Sequence, residues 1–70
     1  SERLLMQNVL ADLRAERGLS QAALADALGV SRQTVISIER GRFDPSLPLA
    51  FRIAGHFGLR IEDVFRPDPE

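Results

Sequence analysis

The side chains best suited to binding an anion lie in the middle of the chain. Residues 31–60 carry five arginines and two acids, a charge of +3, although the whole chain has a net charge of −1. Arginine stays charged and presents a planar fork of donors that matches phosphate and guanine. All nine basic residues are arginine, which GC-rich coding would also produce. An anion-binding surface is therefore expected in this block, whose arginines are Arg32, Arg40, Arg42, Arg52 and Arg60.

Residues that could support catalysis or hold a metal are sparse. His56 is the only histidine and the chain has no cysteine, so a transition-metal site lacks its usual ligands. Asp44, Glu62 and Asp63 are carboxylates without a partnered nucleophile or a glycine-rich phosphate loop. We therefore expect no catalytic residue, no metal, no cofactor and no enzymatic activity.

Length and composition predict one small globular domain. The chain has 70 residues, of which 44% are hydrophobic and 27% are charged. Its apolar runs are too short for a membrane span, and it shows no signal-peptide pattern, so we expect a cytoplasmic protein without membrane contact. The isoelectric point near 5.7 argues against a strongly basic nucleic-acid binder. Any role in binding nucleic acid must therefore depend on where individual arginines lie.

The periodicity of apolar residues predicts an all-α fold of five helices in a single domain, residues 1–70. Ser20, Ser31 and Ser46 precede three of the helices as N-caps, and four helices are followed by glycine. No stretch alternates in the manner of a strand. The helices are expected at about residues 5–17, 21–28, 32–40, 47–57 and 61–65, followed by an acidic tail at 66–70.

The second and third helices, within about residues 20–40, have the residues that a helix-turn-helix requires. Ala25 is small, so the third helix can cross close to the second. Gly29 can adopt the positive φ of a tight turn, and Val30 can fill the corner. Val35 and Ile38 occupy one face of the third helix. Two short helices joined at a steep angle by three residues can project the second of them into a DNA major groove.

This block resembles the lambda-repressor-like family of bacterial and phage regulators, the Cro/repressor or XRE-type helix-turn-helix proteins. The resemblance covers about residues 6–65 and implies a short, single-domain DNA-binding protein. The matching residues are Leu13-Arg14, Gly18-Leu19-Ser20-Gln21, Leu24-Ala25, Leu28-Gly29-Val30-Ser31, Thr34-Val35, Ile38-Glu39 and Gly41, then Pro45-Ser46-Leu47, Ile53-Ala54, Gly58 and Ile61-Glu62-Asp63-Val64-Phe65.

The resemblance assigns roles to individual residues. Gln21 matches the family's backbone-contacting glutamine, which also braces a recognition-helix side chain. Arg40 and Arg42 match phosphate clamps, although arginines at a helix C-terminus also interact with its dipole. Arg14 and Glu39 match a pair that ties the first helix to the third, which predicts an internal ion pair. The positions expected to read bases are Arg32, Gln33 and Ser37, and Thr34 is expected to meet a phosphate or a thymine methyl group.

Three positions allow more than one interpretation. Ile36 replaces a polar or aromatic residue of the family pattern and is expected to face outwards, either towards a thymine methyl or simply into solvent. Arg60 replaces a Ser or Thr cap, which leaves the start of the fifth helix uncertain. Arg52 is expected to be solvated or at the rim of a dimer. The inward face of the fourth helix is expected to comprise Leu47, Ala50, Phe51, Ala54 and Phe57.

These observations lead to the hypothesis of a sequence-specific transcriptional regulator, with repression as the expected outcome. A homodimer would place two recognition helices in successive major grooves of a palindromic operator in double-stranded DNA, with half-sites about 34 Å apart. A single copy would bury too little surface for a specific complex, which also favours a dimer. Its expected dimer surface comprises Leu59, Ile61 and Phe65.

Two alternative functions fit the same fold. A protein-interaction module without a DNA role is favoured by the slightly acidic isoelectric point. An antitoxin or controller subunit that acts with a partner protein, such as a toxin, is a narrower alternative. DNA retention that falls steeply with salt favours the regulator, because neutralised phosphates release counterions.

Overall fold

The computed structural model describes residues 6–67, and most of them are helical. Five helices appear in the predicted order, and two short strands flank them. The helices are α1, Leu10–Glu16; α2, Gln21–Leu28; α3, Arg32–Glu39; α4, Leu47–His56; and α5, Ile61–Val64; the strands are β1, Gln7–Asn8, and β2, Phe65–Arg66. Most of the predicted acidic tail lies outside the described residues.

The predicted serine caps begin three of the helices. The Oγ atom of Ser20 accepts a hydrogen bond from the backbone of Ala23 at 3.0 Å. Ser31 and Ser46 accept in the same way, three residues from their own donors, at 3.1 and 3.3 Å. Each cap satisfies one of the backbone N–H groups that a helix leaves unpaired at its N-terminus. The local sequence therefore places the starts of α2, α3 and α4 correctly.

The first helix is shorter than predicted, because the chain first forms a strand. Residues 5–17 were expected to be helical, but α1 begins at Leu10, and residue 5 lies outside the described residues. The side chain of Asn8 accepts a hydrogen bond from the Leu10 N–H at 3.0 Å, which closes a turn before α1. Val9, which precedes α1, is 40% exposed.

The strand β1 pairs with β2 in an antiparallel ribbon that the sequence did not predict. Asn8 lies opposite Phe65, and Gln7 lies opposite Arg66. The Val9 N–H also donates to the Val64 carbonyl at 3.1 Å. Because Phe65 is extended and pairs with β1, α5 ends at Val64 and the Phe65 side chain is directed into the core, where it is 3% exposed.

The start of α5 is stabilised by an acid inside the helix. Arg60 provides no side-chain acceptor, as predicted. The Asp63 carboxylate instead accepts a hydrogen bond from the Arg60 backbone N–H at 3.0 Å. This hydrogen bond lowers the pKa of Asp63. The helix therefore begins at Ile61 even though a Ser or Thr cap is missing.

The core is formed by aliphatic residues from all five helices and by two aromatic residues, Phe57 after α4 and Phe65 in β2. Leu24, Val35 and Ile53 have no exposed surface and lie on three different helices. No helix in residues 6–67 is both long enough and apolar enough to cross a bilayer. The buried residues are Leu10, Leu24, Ala25, Leu28, Val35, Ile38, Leu49, Ala50, Ile53, Ala54, Phe57, Val64 and Phe65.

The predicted inner face of α4 is partly wrong. Leu47 and Phe51 are 64% and 61% exposed, whereas Leu49 and Ile53 are buried in their place. Both choices fit a helical repeat, because α4 carries large apolar residues on nearly every side. The periodicity of the sequence therefore could not decide which side faces the core, and the packing leaves two large apolar side chains in solvent.

Candidate nucleic-acid interface

The recognition helix α3 packs on α2 through one face only. Val35 and Ile38 are buried, whereas Arg32 and Gln33 are exposed. Ala25 is 3% exposed beneath this contact, where its small side chain allows the two helices to approach. The outer face of α3 is therefore free to meet another molecule, as the helix-turn-helix hypothesis requires.

The turn between α2 and α3 is fixed by a glycine and by a distant arginine. Gly29 ends α2 with φ 73°, in the left-handed region that favours glycine. The Arg52 guanidinium on α4 donates to the Leu28 carbonyl at 3.1 Å, next to this turn. Arg52 was expected to be solvated or at a dimer rim; it is exposed, and it also holds the turn. Its separation of 24 residues from Leu28 gives no local signal in the sequence.

The exposed face of α3 carries neutral hydrogen-bonding groups. The Gln33 amide donates to the Ser37 hydroxyl at 3.2 Å, and the Ser31 and Thr34 hydroxyls lie 2.9 Å apart. The Gln33 bond uses one amide hydrogen and leaves the carbonyl oxygen and the second hydrogen for another partner. Ile36, expected to face outwards, is half-buried. The polar residues predicted to read bases are therefore close together on one surface.

Three arginines around α3 form no internal contact. Arg32, Arg40 and Arg42 are exposed, and their guanidinium groups have no hydrogen bond or ion pair within residues 6–67. We call them the recognition arginines. Arg42 lines a shallow groove that is also bordered by Gln33 and Ser37. An arginine with an uncommitted guanidinium is available to bind phosphate or guanine.

Glu39, at the end of α3, connects three helices. Its carboxylate accepts from Arg14 Nε at 2.7 Å and from the Gln21 amide at 3.1 Å. A further Arg14 nitrogen donates to the Leu19 carbonyl at 2.9 Å. The predicted Arg14–Glu39 ion pair is confirmed. The hydrogen bond to Glu39 raises the pKa of Arg14.

This network also determines the orientation of Gln21. The amide donates one hydrogen to Glu39, so Gln21 braces the recognition helix as expected. The same nitrogen carries a second hydrogen. Gln21 begins α2 and is only half-buried, so that hydrogen is available to a group outside the protein. Its contact with a phosphate stays a prediction.

The β1 strand also anchors the C-terminal end of α3, and sequence reasoning missed this contact. The Asn8 amide donates to the Ile38 carbonyl at 2.9 Å. The same carbonyl also accepts a hydrogen bond from the Gly41 N–H at 3.0 Å, so Asn8 supplies a second donor at the C-terminus of α3. The position of Asn8 two residues before Leu10 predicts a local turn, but the contact with Ile38, 30 residues away, has no local signature.

The residues expected at a dimer surface lie in different environments. Leu59 is 38% exposed, and Ile61 is half-buried against the core. The expectation that Phe65 is a surface residue was wrong, because this side chain is 3% exposed and belongs to the core. An apolar groove connects Leu47 to Ile61, and Phe51 lies one helical turn after Leu47. We call Leu47, Phe51, Leu59 and Ile61 the apolar surface.

Comparison with known proteins gives a consistent result. Residues 10–64 match the HTH_3 family model, described as helix-turn-helix. The chain is 58% identical over 60 residues to an uncharacterized HTH-type transcriptional regulator of Methanocaldococcus jannaschii, a match that covers 86% of this chain and 91% of the relative. It is 30% identical over 60 residues to the cryptic phage CTXphi transcriptional repressor RstR of Vibrio cholerae, covering 86% of this chain and 54% of that protein.

A solved structure has the same arrangement of helices. The restriction-modification controller protein C.AhdI from Aeromonas hydrophila superposes with a TM-score of 0.70 and 33% identity. The superposition covers 77% of this chain and 82% of the controller.

Proposed function

The chain belongs to the HTH_3 family of XRE-type, lambda-repressor-like helix-turn-helix transcriptional regulators, and we propose that it binds a palindromic DNA operator as a homodimer and represses transcription. The observation that carries this proposal is the outer face of α3. Polar side chains with spare hydrogen-bonding capacity lie there beside arginines whose guanidinium groups have no partner within residues 6–67.

Base recognition is assigned to the first half of α3. Arg32 is the first residue of the helix and Gln33 the second, and both are exposed. Arginine pairs with guanine O6 and N7, and glutamine with adenine N6 and N7, each contributing about 1–3 kcal/mol of discrimination. The hydrogen bond from Gln33 to Ser37 holds the glutamine against α3 before DNA arrives. Ser37 and Thr34 supply hydroxyl groups for adjacent bases or phosphates.

Phosphate binding is assigned to groups at the ends of the helices. Arg40 and Arg42 follow α3, and the spare amide hydrogen of Gln21 lies at the start of α2. Such contacts determine docking without reading sequence. This placement is compatible with an isoelectric point near 5.7, because most acidic residues of the chain lie outside residues 31–60.

Dimer formation is assigned to the apolar surface. Leu47 and Phe51 are more than half exposed, and large apolar side chains grouped in this way often mark protein–protein contacts. Two copies related by a twofold axis would present α3 to half-sites about 34 Å apart. The relative RstR is a transcriptional repressor, which supports repression as the outcome.

Affinity for a DNA duplex at increasing salt concentration tests the DNA-binding part of the proposal. Two phosphate-binding arginines in each subunit give four contacts in a dimer, so log K should fall with log salt with a slope of about −3.6. As a control, Arg60→Ala removes one arginine that lies far from α3 in sequence. This variant should keep the salt slope of the wild type. A salt-insensitive or undetectable interaction would instead support the protein-interaction module.

Sedimentation tests the dimer separately. A variant with Leu47→Asp and Phe51→Asp should sediment as a 7.8 kDa monomer, because charges would then replace the exposed apolar groups. Both positions are in solvent in the monomer, so the fold should persist. Ala22→Asp adds a charge to an exposed position of α2 and should leave the dimer intact. A dimer that survives both Asp substitutions would place the interface elsewhere.

A further inference from the structure

The exposed aromatic side chain of Phe43, close to the recognition helix, has no role in the proposed function. Phe43 follows Arg42 in the loop after α3 and is 46% exposed. We propose that Phe43 is a specificity-determining residue that packs on the C5-methyl group of a thymine at the edge of each half-site. This inference rests on the proposed function, since it concerns the same DNA interface.

Phe43 shares a surface groove with the residues assigned to base recognition. The loop forms one side of the groove, and the first two turns of α3 form the other. A base pair that meets Gln33 and Ser37 therefore comes within reach of the Phe43 ring. The residues that line the groove are Ser31, Gln33, Thr34, Ser37, Arg42 and Phe43.

The loop is held on both sides of Phe43. The Arg42 N–H donates to the Ser37 carbonyl at 2.9 Å, which fastens the loop to α3. On the other side, the Asp44 carboxylate accepts from the Met6 N–H at 3.0 Å. Pro45 then restricts the backbone before the Ser46 cap begins α4. These bonds position the ring at the groove before DNA binds.

The chemistry of the groove selects a thymine methyl group as the contact. The other residues that line the groove are polar or charged, so Phe43 is its only large apolar group. The C5-methyl of thymine is the apolar group that the major-groove base edges present, and phenylalanine is among the residues that contact it. Burying the exposed half of an aromatic ring against this methyl group removes apolar surface from water on both sides. The contact distinguishes thymine from cytosine without a hydrogen bond.

Replacing thymine with deoxyuridine tests the contact, because it removes only the methyl group. A duplex selected by the wild-type protein would be resynthesised with deoxyuridine at one thymine per half-site at a time. At one position near the half-site edge, the wild-type protein should lose about fourfold in affinity per half-site, the effect of removing one buried methyl group. Phe43→Ala should bind both duplexes equally.

Two further variants separate a specific contact from a general one. Phe43→Leu retains an apolar side chain and should keep part of the preference for thymine. Val9→Ala shortens another side chain that is 40% exposed but does not line the groove, and this variant should keep the whole preference for thymine. Because Phe43 is exposed, its variants should retain the helical circular dichroism spectrum of the wild type.

Three results would overturn the inference. If Phe43→Ala leaves the preference for thymine intact, another residue reads the methyl group. If the wild type ignores deoxyuridine at every position but Phe43→Ala weakens all duplexes equally, the ring contacts deoxyribose and carries no sequence information. If the wild type selects no duplex, the proposed function fails, and this inference fails with it.

Discussion

Arginine serves two different purposes in the two halves of this molecule. In the scaffold, Arg14, Arg17 and Arg52 each donate to a carbonyl or carboxylate of another element. Around α3, the recognition arginines have no such partner within residues 6–67. Arginine side chains therefore connect elements of the fold in one region, whereas in the other region their guanidinium groups are available to an external partner.

Arg17 illustrates the scaffold role. Its guanidinium donates to the carbonyls of His56 and Phe57 at 3.2 and 3.3 Å and lies 4.9 Å from the centre of the Phe57 ring. These carbonyls lie at the end of α4, where a helix leaves acceptors unpaired. Counting basic residues thus overestimates the charge available to DNA, because several guanidinium groups are already bound inside the protein.

The largest effect is expected for Glu39, which binds the scaffold arginine Arg14. Glu39→Ala leaves Arg14 without its carboxylate and Gln21 without its brace. Loss of these charged hydrogen bonds should lower the free energy of unfolding by about 2–3 kcal/mol, a large part of the roughly 4–10 kcal/mol expected for a domain of this size. The urea midpoint measures this change. Glu16→Ala, an exposed glutamate without a partner in the structure, is the control, and an equal loss in both variants would contradict the role of the network.

On the recognition side, the largest effect is expected for Gln33. Gln33→Ala removes the amide that we assign to an adenine. Discrimination at one base position should fall by about 1–3 kcal/mol, while the melting temperature stays close to that of the wild type. Affinities for a set of operators with single base changes measure this loss. A uniform loss over all operators would show that Gln33 supports docking and not reading.

Arg42 should behave differently from Gln33, although both border the same groove. Arg42→Ala should weaken binding to every operator similarly and reduce the salt slope by about one unit per half-site. This result would sharpen the division between phosphate contacts and base contacts. A loss confined to one base position would contradict the assignment.

The smallest effect is expected for Arg17. Arg17→Leu keeps an apolar side chain against Phe57 but removes the donors to the end of α4. The free energy of unfolding should fall by about 0.5–1 kcal/mol, which lowers the Tm by about 3–6 °C, while affinity for DNA stays unchanged. Reduced affinity at an unchanged Tm would place Arg17 among the recognition arginines.

The parts of the fold that short-range physics determines were predictable from the sequence. Ser20, Ser31 and Ser46 mark helix starts because each cap needs only the next three residues. The Arg14–Glu39 pair could be predicted only through the resemblance, since 25 residues separate the partners. The outward side of α3 could also be predicted from the sequence. Val35 and Ile38 were expected on its inner face, and they are the two buried residues of this helix.

Contacts between distant segments account for the errors. The β1–β2 ribbon joins two-residue strands from opposite ends of the described chain, and segments of that length show no alternation. Phe65 was therefore placed on the surface instead of in the core. Which side of α4 faces the core depends on the neighbours that pack beside Ile53. The sequence of α4 does not reveal this, because the helix is apolar on nearly all sides. The positioning roles of Asn8 and Arg52 were missed for the same reason, because each residue contacts a segment that is distant in sequence.

Selection of bound duplexes from a random DNA pool, with the purified protein at moderate salt, tests the central claim most directly. We expect an enriched inverted repeat whose half-site centres lie one helical turn apart, about 34 Å. Loss of that enrichment in an Arg32→Ala and Gln33→Ala double variant would connect it to α3. A pool that stays unenriched, with a folded and helical protein in the tube, would contradict the assignment of α3 as a reader of DNA sequence.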